Sequence, residues 1–221
     1  MIKIAPEGWP FIISSAVFGI AVFLIFHNWL IVIPILILLF MIFFFRDPER
    51  NTPTDPNIIA SPADGKIIKI EKMYEHEYLK KDVIKISIFM SPFNVHINRA
   101  PFNGIVVGVA HNKGGFFAAY KDDASIKNEN IAMVIKTIKG DILVRQVAGF
   151  IARRAVCRVK PGDTLSTGDR YGLIKFSSRV DLYLPPSVET AVKLNDIVKS
   201  GETIIARWQL ESALNTEDIK T

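Results

Sequence analysis

Two adjacent serines, Ser177 and Ser178, stand in the run KFSSRVD at residues 175–181. Just before them a glycine-punctuated stretch ends, and just after them the alternating segment VDLYLPP begins. A serine hydroxyl becomes a nucleophile when a neighbouring base takes its proton. Two groups elsewhere have the right types. Asp64 lies in IIASPADGKIIKI, with apolar runs on both sides. His96 lies in IFMSPFNVHINRAP, where Asn94, His96 and Asn98 place polar groups at three alternate positions. Each has an ordinary reading beside the chemical one. An aspartate before glycine suits a turn, a strand histidine can be a satisfied core residue, and a serine pair suits a strand edge.

Other chemistries find little footing. The four histidines, at 27, 76, 96 and 111, include no pair four apart, and Cys157 is the only cysteine. Neither a zinc-binding spacing nor an internal disulfide is expected, so the metal expectation is none. No glycine-rich dinucleotide or P-loop pattern occurs. Lys113, in HNKGGFFAAY, reads either as part of a phosphate-holding turn or as a plain loop residue. Arg153 and Arg154 read either as a solvated turn or as anion ligands. No basic run interleaved with aromatics points to nucleic acid. The formal net charge of +5, with a sequence pI of about 9.3, suits an anionic membrane surface.

The elements that must position these residues are mostly strands. GKIIKIEKM, VIKISIFM, GIVVGVAHN, IAMVIKTIKGDILVRQVAG and RVDLYLP alternate with period two or are rich in β-formers. IKGD reads as a hairpin joining two of them, and FFAAYKDDA at 116–124 as one helix. SPADGKIIKI and VKPGDTLSTGDRYGLIKF each place a Gly-Asp or Asp-Gly turn between short strands. The second resembles the hammerhead barrels of lipoyl- and biotinyl-carrier domains, without their modified-lysine motif. The fold class expected is therefore a mostly β, barrel-like or hammerhead-type domain with a few short helices.

Residues 11–45 are almost wholly apolar, interrupted only by His27 and Asn28. A single membrane span needs roughly 20 residues. The stretch therefore reads as a helical hairpin over about 11–26 and 29–45, crossing the bilayer or lying in one leaflet. Lys3 before it and Arg46 and Arg50 after it place both ends on the cytoplasmic side of the cell membrane. The expected organisation is a membrane hairpin at 1–45, an extended linker at 46–57 carrying Pro48, Pro53 and Pro56, and a β domain at 58–221. Deleting the hairpin is expected to leave a soluble domain.

Taken in order, FFRDPER, SPADGKI, FMSPFNVHINRAPFNG, KNENIAMVI, QVAGFIARR and YGLIKFSSRVDLYLP resemble the motifs of short, single-domain phosphatidylserine decarboxylases. Archaetidylserine decarboxylases are similar too, which leaves ester- and ether-lipid substrates both open. The resemblance runs from about Trp9 to Trp208. It implies a proenzyme that cuts itself between Ser177 and Ser178, with Asp64 and His96 as partners. Ser178 then becomes a pyruvoyl cofactor, whose ketone condenses with the head-group amine and accepts the electrons released with carbon dioxide. The implied product is phosphatidylethanolamine and the implied partners are a phospholipid and the membrane. The two fragments would form a heterodimer, or the chain a homodimer. Arg99, Lys113 and Arg153 are candidates for the head-group phosphate. Phe93, with Phe116 and Phe117, is a candidate for excluding water, and His96 for donating a proton to the product. Two positions depart from the pattern. Residue 177 is Ser where the family usually has Gly, which costs about 1–2 kcal/mol if a left-handed backbone is needed and so slows processing. Arg99 stands where many members have a second histidine. The alternative reading is a membrane-anchored, non-catalytic β-barrel adaptor or an unprocessed relative.

Overall fold

The computed structural model describes residues 3–26, 29–114, 128–149, 154–176 and 178–209. It opens with two apolar helices, α1 (Trp9–Phe26) and α2 (Val32–Phe44), with a 3-10 turn at Trp29–Ile31 leading into the second. Pro34 falls in the first turn of α2, where its missing N–H breaks no helical hydrogen bond. The segment Pro6–Phe26 is long and apolar enough to cross a membrane, and Trp29–Phe44 is shorter. Side chains such as Leu24, Ile25 and Leu36 face outward with no protein against them.

Six long strands follow: β1 (Gly65–Glu75), β2 (Lys81–Met90), β3 (Gly104–Asn112), β4 (Asn130–Thr137), β5 (Gly140–Ala148) and β6 (Ser178–Leu184). They form one antiparallel sheet in the order β3-β4-β5-β6-β2-β1, edged by the short strands Thr164–Leu165 and Ile197–Val198. The sheet curls into a half barrel. Two three-stranded sheets cover it, one from Ile97–Arg99, Ala155–Cys157 and Arg170–Ile174, the other from Ile58–Ala60, Val188–Thr190 and Ile204–Trp208. The mostly β expectation holds, and the IKGD hairpin joins β4 to β5.

Period-two alternation sorts β6 cleanly. Val180 and Leu182 join the main core with Ile86, Ile88, Met90 and Val144. Arg179 and Asp181 point to the opposite face and pair at 2.9 Å, close to the Arg145 and Tyr183 side chains of that face.

The segment expected as a linker is fastened along its length. Asp47 pairs with Arg99 and Arg170, and Glu49 with Lys3 and Arg170. Arg50 donates to both oxygens of Asp64, at 2.7 and 2.9 Å, and reaches Glu202 at 3.3 Å. Lys3–Ile4 pairs with Arg46–Asp47 as a small two-stranded sheet. The hairpin is thus locked to the β domain, because a buried charge that loses its partner is expensive.

Arg50 and Asp64 are both nearly buried. Arg50→Met should therefore destabilise the protein by about 3–5 kcal/mol, and Arg50→Met with Asp64→Leu should recover much of the loss. Thermal midpoints of the full-length protein in detergent test this. Unchanged midpoints in the single variant would contradict a structural pair.

Candidate active site

Ser178 is the first residue of β6 and is fully buried. β6 lies between two partners, so Ser178 sits across from Ala148 of β5 and Met90 of β2. Its hydroxyl donates to Met90 Sδ at 3.4 Å. A thioether accepts hydrogen bonds weakly, so this contact orients the hydroxyl without removing its proton. Asn98 Nδ2 approaches the same sulfur at 3.8 Å. Gln146 Nε2 in turn donates to Asn98 Oδ1 at 2.8 Å and to the Val156 carbonyl at 3.3 Å. Gly172 makes that approach possible, since a Cβ there would collide with the Val156 carbonyl and crowd Gln146. Gln146 Oε1 is buried without a hydrogen-bond partner. Two buried amides therefore stand beside the serine, with acceptor capacity left over.

His96 lies two residues before Asn98 and is 1% exposed. Its Nδ1 is 3.0 Å from the Asn94 carbonyl. A carbonyl only accepts, so Nδ1 carries the hydrogen and Nε2 presents its lone pair. Nε2 is buried with no hydrogen-bond partner. Burial pushes the imidazole down to about 4, and the positive charge of Arg46 adds to the effect, against the opposing Asn94 carbonyl. The imidazole is neutral at pH 7. Nε2 thus presents a lone pair, so in the expected role of proton donor His96 would first take up the proton that it gives.

The foot of the hairpin completes this corner. The ring of Phe44, the last residue of α2, lies 4.1 Å from the His96 ring. The same ring stacks on Phe176 at 4.4 Å. Phe45 and Phe11 pack around Phe176, and Val95, Ile97 and Leu173 join the cluster from the β domain. Phe176 has φ +56, a left-handed conformation that is an outlier for an aromatic residue. Strain of this kind persists only where the surroundings enforce it, and here the enforcing contacts come from the hairpin. A chain cut at residue 45 would expose His96, Val95, Ile97 and Leu173, so the soluble-domain expectation conflicts with the packing.

The remaining sequence candidates disperse. Asp64 joins Arg50 and accepts the Ser200 N–H at 2.8 Å, so it forms no hydrogen bond with His96. Gly65 beside it lets the chain pass under the Phe89 carbonyl, where a Cβ would collide. Arg99 is buried, with its guanidinium on the Gly168 and Pro48 carbonyls and Asp47, which takes it away from a head group. Phe93 is 70% exposed, and its carbonyl accepts from Arg46 at 2.7 Å, so its ring closes off no cavity. Lys113 is exposed at the end of β3. Ser177, Arg153, Phe116, Phe117 and the expected helix at 116–124 lie outside the described residues. Sequence reasoning missed Phe44, Met90 and Gln146. Met90 was legible in principle, through strand pairing opposite Ser178. Phe44 carried no signal, being one apolar residue in a long apolar run.

The lowered His96 value sets a sign for stability against pH. Above pH 6.5 the imidazole is neutral in both folded and unfolded chains. Between 6.5 and about 4 only the unfolded chain binds the proton, so stability falls as pH falls, on the order of 3 kcal/mol in full. His96→Phe should flatten that part of the profile. Thermal scans of both proteins at several pH values between 7.5 and 4 decide it, and parallel profiles would contradict a buried neutral His96.

The sequence profile of the family described as Phosphatidylserine decarboxylase matches residues 37–206, from within α2 to the strand Ile204–Trp208. A protein of Syntrophus aciditrophicus is 43% identical over 202 residues, covering 90% of this chain and 95% of its own. One of Desulfotalea psychrophila is 44% identical over 207 residues, covering 93% and 97%. One of Geotalea uraniireducens is 44% identical over 203 residues, covering 91% and 95%. Each is named Phosphatidylserine decarboxylase proenzyme. The family match runs over most of the chain, and each of these relatives is more than 40% identical across at least 90% of it: the chain belongs to the phosphatidylserine decarboxylase family.

Proposed function

We propose that this chain cuts itself before Ser178 and then removes carbon dioxide from phosphatidylserine at the membrane surface, giving phosphatidylethanolamine. The observation that carries the reading is the position of Ser178. It opens a central strand, two residues after Phe176, whose ring lies on the hairpin foot at Phe44. The reacting residue is thus held where a lipid head group emerges.

In the cutting step, the Ser178 hydroxyl adds to the carbonyl carbon of residue 177. The amide nitrogen leaves, giving an ester. Loss of the Ser178 α-proton expels the residue-177 carboxylate, and water removes the nitrogen as ammonia. His96 Nε2 is the candidate acceptor for the hydroxyl proton, because it is a neutral, unpartnered base beside the same segment. Reaching it requires the hydroxyl to rotate off Met90. The Asn98 amide is the candidate donor to the developing oxyanion. Asp64 then acts at a distance, by fixing the hairpin through Arg50.

The pyruvoyl group so formed supplies an electrophilic ketone for the serine amine and a sink for the electron pair freed with carbon dioxide. Among the described residues, the groups flanking Ser178 are a thioether and two amides, which carry no charge that would compete with such a group. Cutting leaves β6 hydrogen-bonded to both β5 and β2, so the two fragments stay together as a heterodimer of one chain's pieces. The hairpin inserts in the membrane, with the β domain on the cytoplasmic face. The relatives' shared name favours the ester lipid over its archaeal ether counterpart.

Ser178→Ala should give neither fragments nor carbon dioxide from phosphatidylserine, since no other residue supplies the ketone. Carbon dioxide release by that variant, measured on phosphatidylserine in mixed micelles, would end the reading.

Ser177→Gly should speed processing, because glycine reaches backbone conformations that a Cβ closes. Each 1.4 kcal/mol is tenfold in rate. Mass spectrometry of both proteins after equal incubation measures it. Equal rates would show that residue 177 is unstrained, and absence of cutting in both would favour the unprocessed-relative reading.

A further inference from the structure

Almost every arginine in this structure has an acceptor. Arg50, Arg99, Arg145, Arg158 and Arg170 each reach a carboxylate, and Arg46 lies on two carbonyls. Among the described residues, Arg154 is the arginine whose side chain reaches neither. Lys113, across from it, is likewise without an acceptor among the described residues. Both line one cleft of about 460 Å³, together with His111, Gly114, Glu129 and Ala155. Volumes of this size hold small-molecule ligands.

Along one wall the Glu129 carboxylate lies 3.1 Å from His111 Nε2. That contact occupies the acid and leaves the two cations as the cleft's free charge. A guanidinium offers several donors in a fixed fork that matches the oxygens of a phosphate.

The cleft is wired to the cutting segment from both sides. The Arg154 carbonyl accepts the Lys175 N–H at 3.1 Å, next to Phe176. The Glu129 carbonyl accepts the Ala148 N–H at 2.9 Å, and Ala148 lies opposite Ser178. Asn128 Nδ2 closes on the Ala148 carbonyl at 2.7 Å. The backbone that carries Arg154 and Glu129 therefore borders the backbone that carries the serine and its partner strand.

We infer that this cleft is an anion subsite, in which Arg154 and Lys113 hold the phosphate of a phosphodiester head group while its serine end reaches Ser178. The assignment of the head group rests on the decarboxylase reading; the anion subsite itself rests on the two unpaired cations.

Binding of glycerophosphoserine and of inorganic phosphate to the full-length protein in detergent, by calorimetry, tests it. The parent should bind glycerophosphoserine more tightly than inorganic phosphate. Arg154→Gln should weaken glycerophosphoserine binding tenfold or more, and Arg154→Lys should restore part of it, as expected for hydrogen bonds to a charged group. Lys113→Gln, at an exposed position, should shift affinity in the same direction and gives the answer if Arg154→Gln does not fold. In turnover, the substitutions should raise KM more than they lower kcat. Parent-like affinity in both glutamine variants would overturn the subsite. Equal affinity of the parent for inorganic phosphate would overturn the head-group assignment. If the parent releases no carbon dioxide yet loses glycerophosphoserine binding on Arg154→Gln, the subsite stands and the decarboxylase reading falls.

Discussion

The contact on which this structure turns is the packing of one ring, Phe44, against both His96 and Phe176. Phe44 ends the second apolar helix. His96 lies just before the strand Ile97–Arg99, and Phe176 lies in the bend between Arg170–Ile174 and β6. One fully buried phenyl ring therefore joins a membrane-type helix, a neutral imidazole and the strained approach to Ser178. Removing such a side chain from a packed core costs about 3–5 kcal/mol, but here the larger consequence is geometric. Without the ring, the water it excludes would reach His96, and the burial that keeps the imidazole neutral would be lost.

That contact needs the hairpin to arrive at a fixed angle, and the charged segment after it sets the angle. Apolar packing alone is tolerant of sliding. Ion pairs with defined partners are not, because each mispairing strands a charge in a dry site. Asp47 and Glu49 both meet Arg170, Asp47 also meets Arg99, and Arg50 meets Asp64 on a different part of the β domain. Their net contribution to stability is modest beside their effect on register. This explains why an aspartate that looks catalytic in the sequence is spent on an arginine of the connecting segment.

The serine's own surroundings are those of a residue held in waiting. Its hydroxyl lies on a thioether, amides stand beside it, and the His96 Nε2 lone pair makes no hydrogen bond. A hydroxyl already bonded to a strong base would be primed during folding, before the fold had formed around it. On the proposed reading, activation would need the hydroxyl to turn off the thioether within the finished aromatic corner. The chemistry of the site and the completion of the fold are thereby linked through the same few side chains.

Much of the architecture was legible from residue order. Alternation in GIVVGVAHN and IAMVIKTIKGDILVRQVAG determined one strand and a hairpin, because period-two patterning permits one buried face. The apolar run at 11–45 determined two helices, since an apolar segment of that length must satisfy its backbone internally. Six ordered motifs marked Ser178, His96 and Asp64 as special. What the sequence left open was who meets whom. Asp64 pairs with Arg50, fourteen residues earlier, and His96 rests on a phenylalanine from the hairpin, because ion pairs and ring stacks are made across long chain separations that no local pattern encodes. The pKa of His96, and the lack of an acceptor for Arg154 among the described residues, were likewise decided by tertiary structure alone: each is set by which atoms surround the group, and that is settled only when distant segments close on one another.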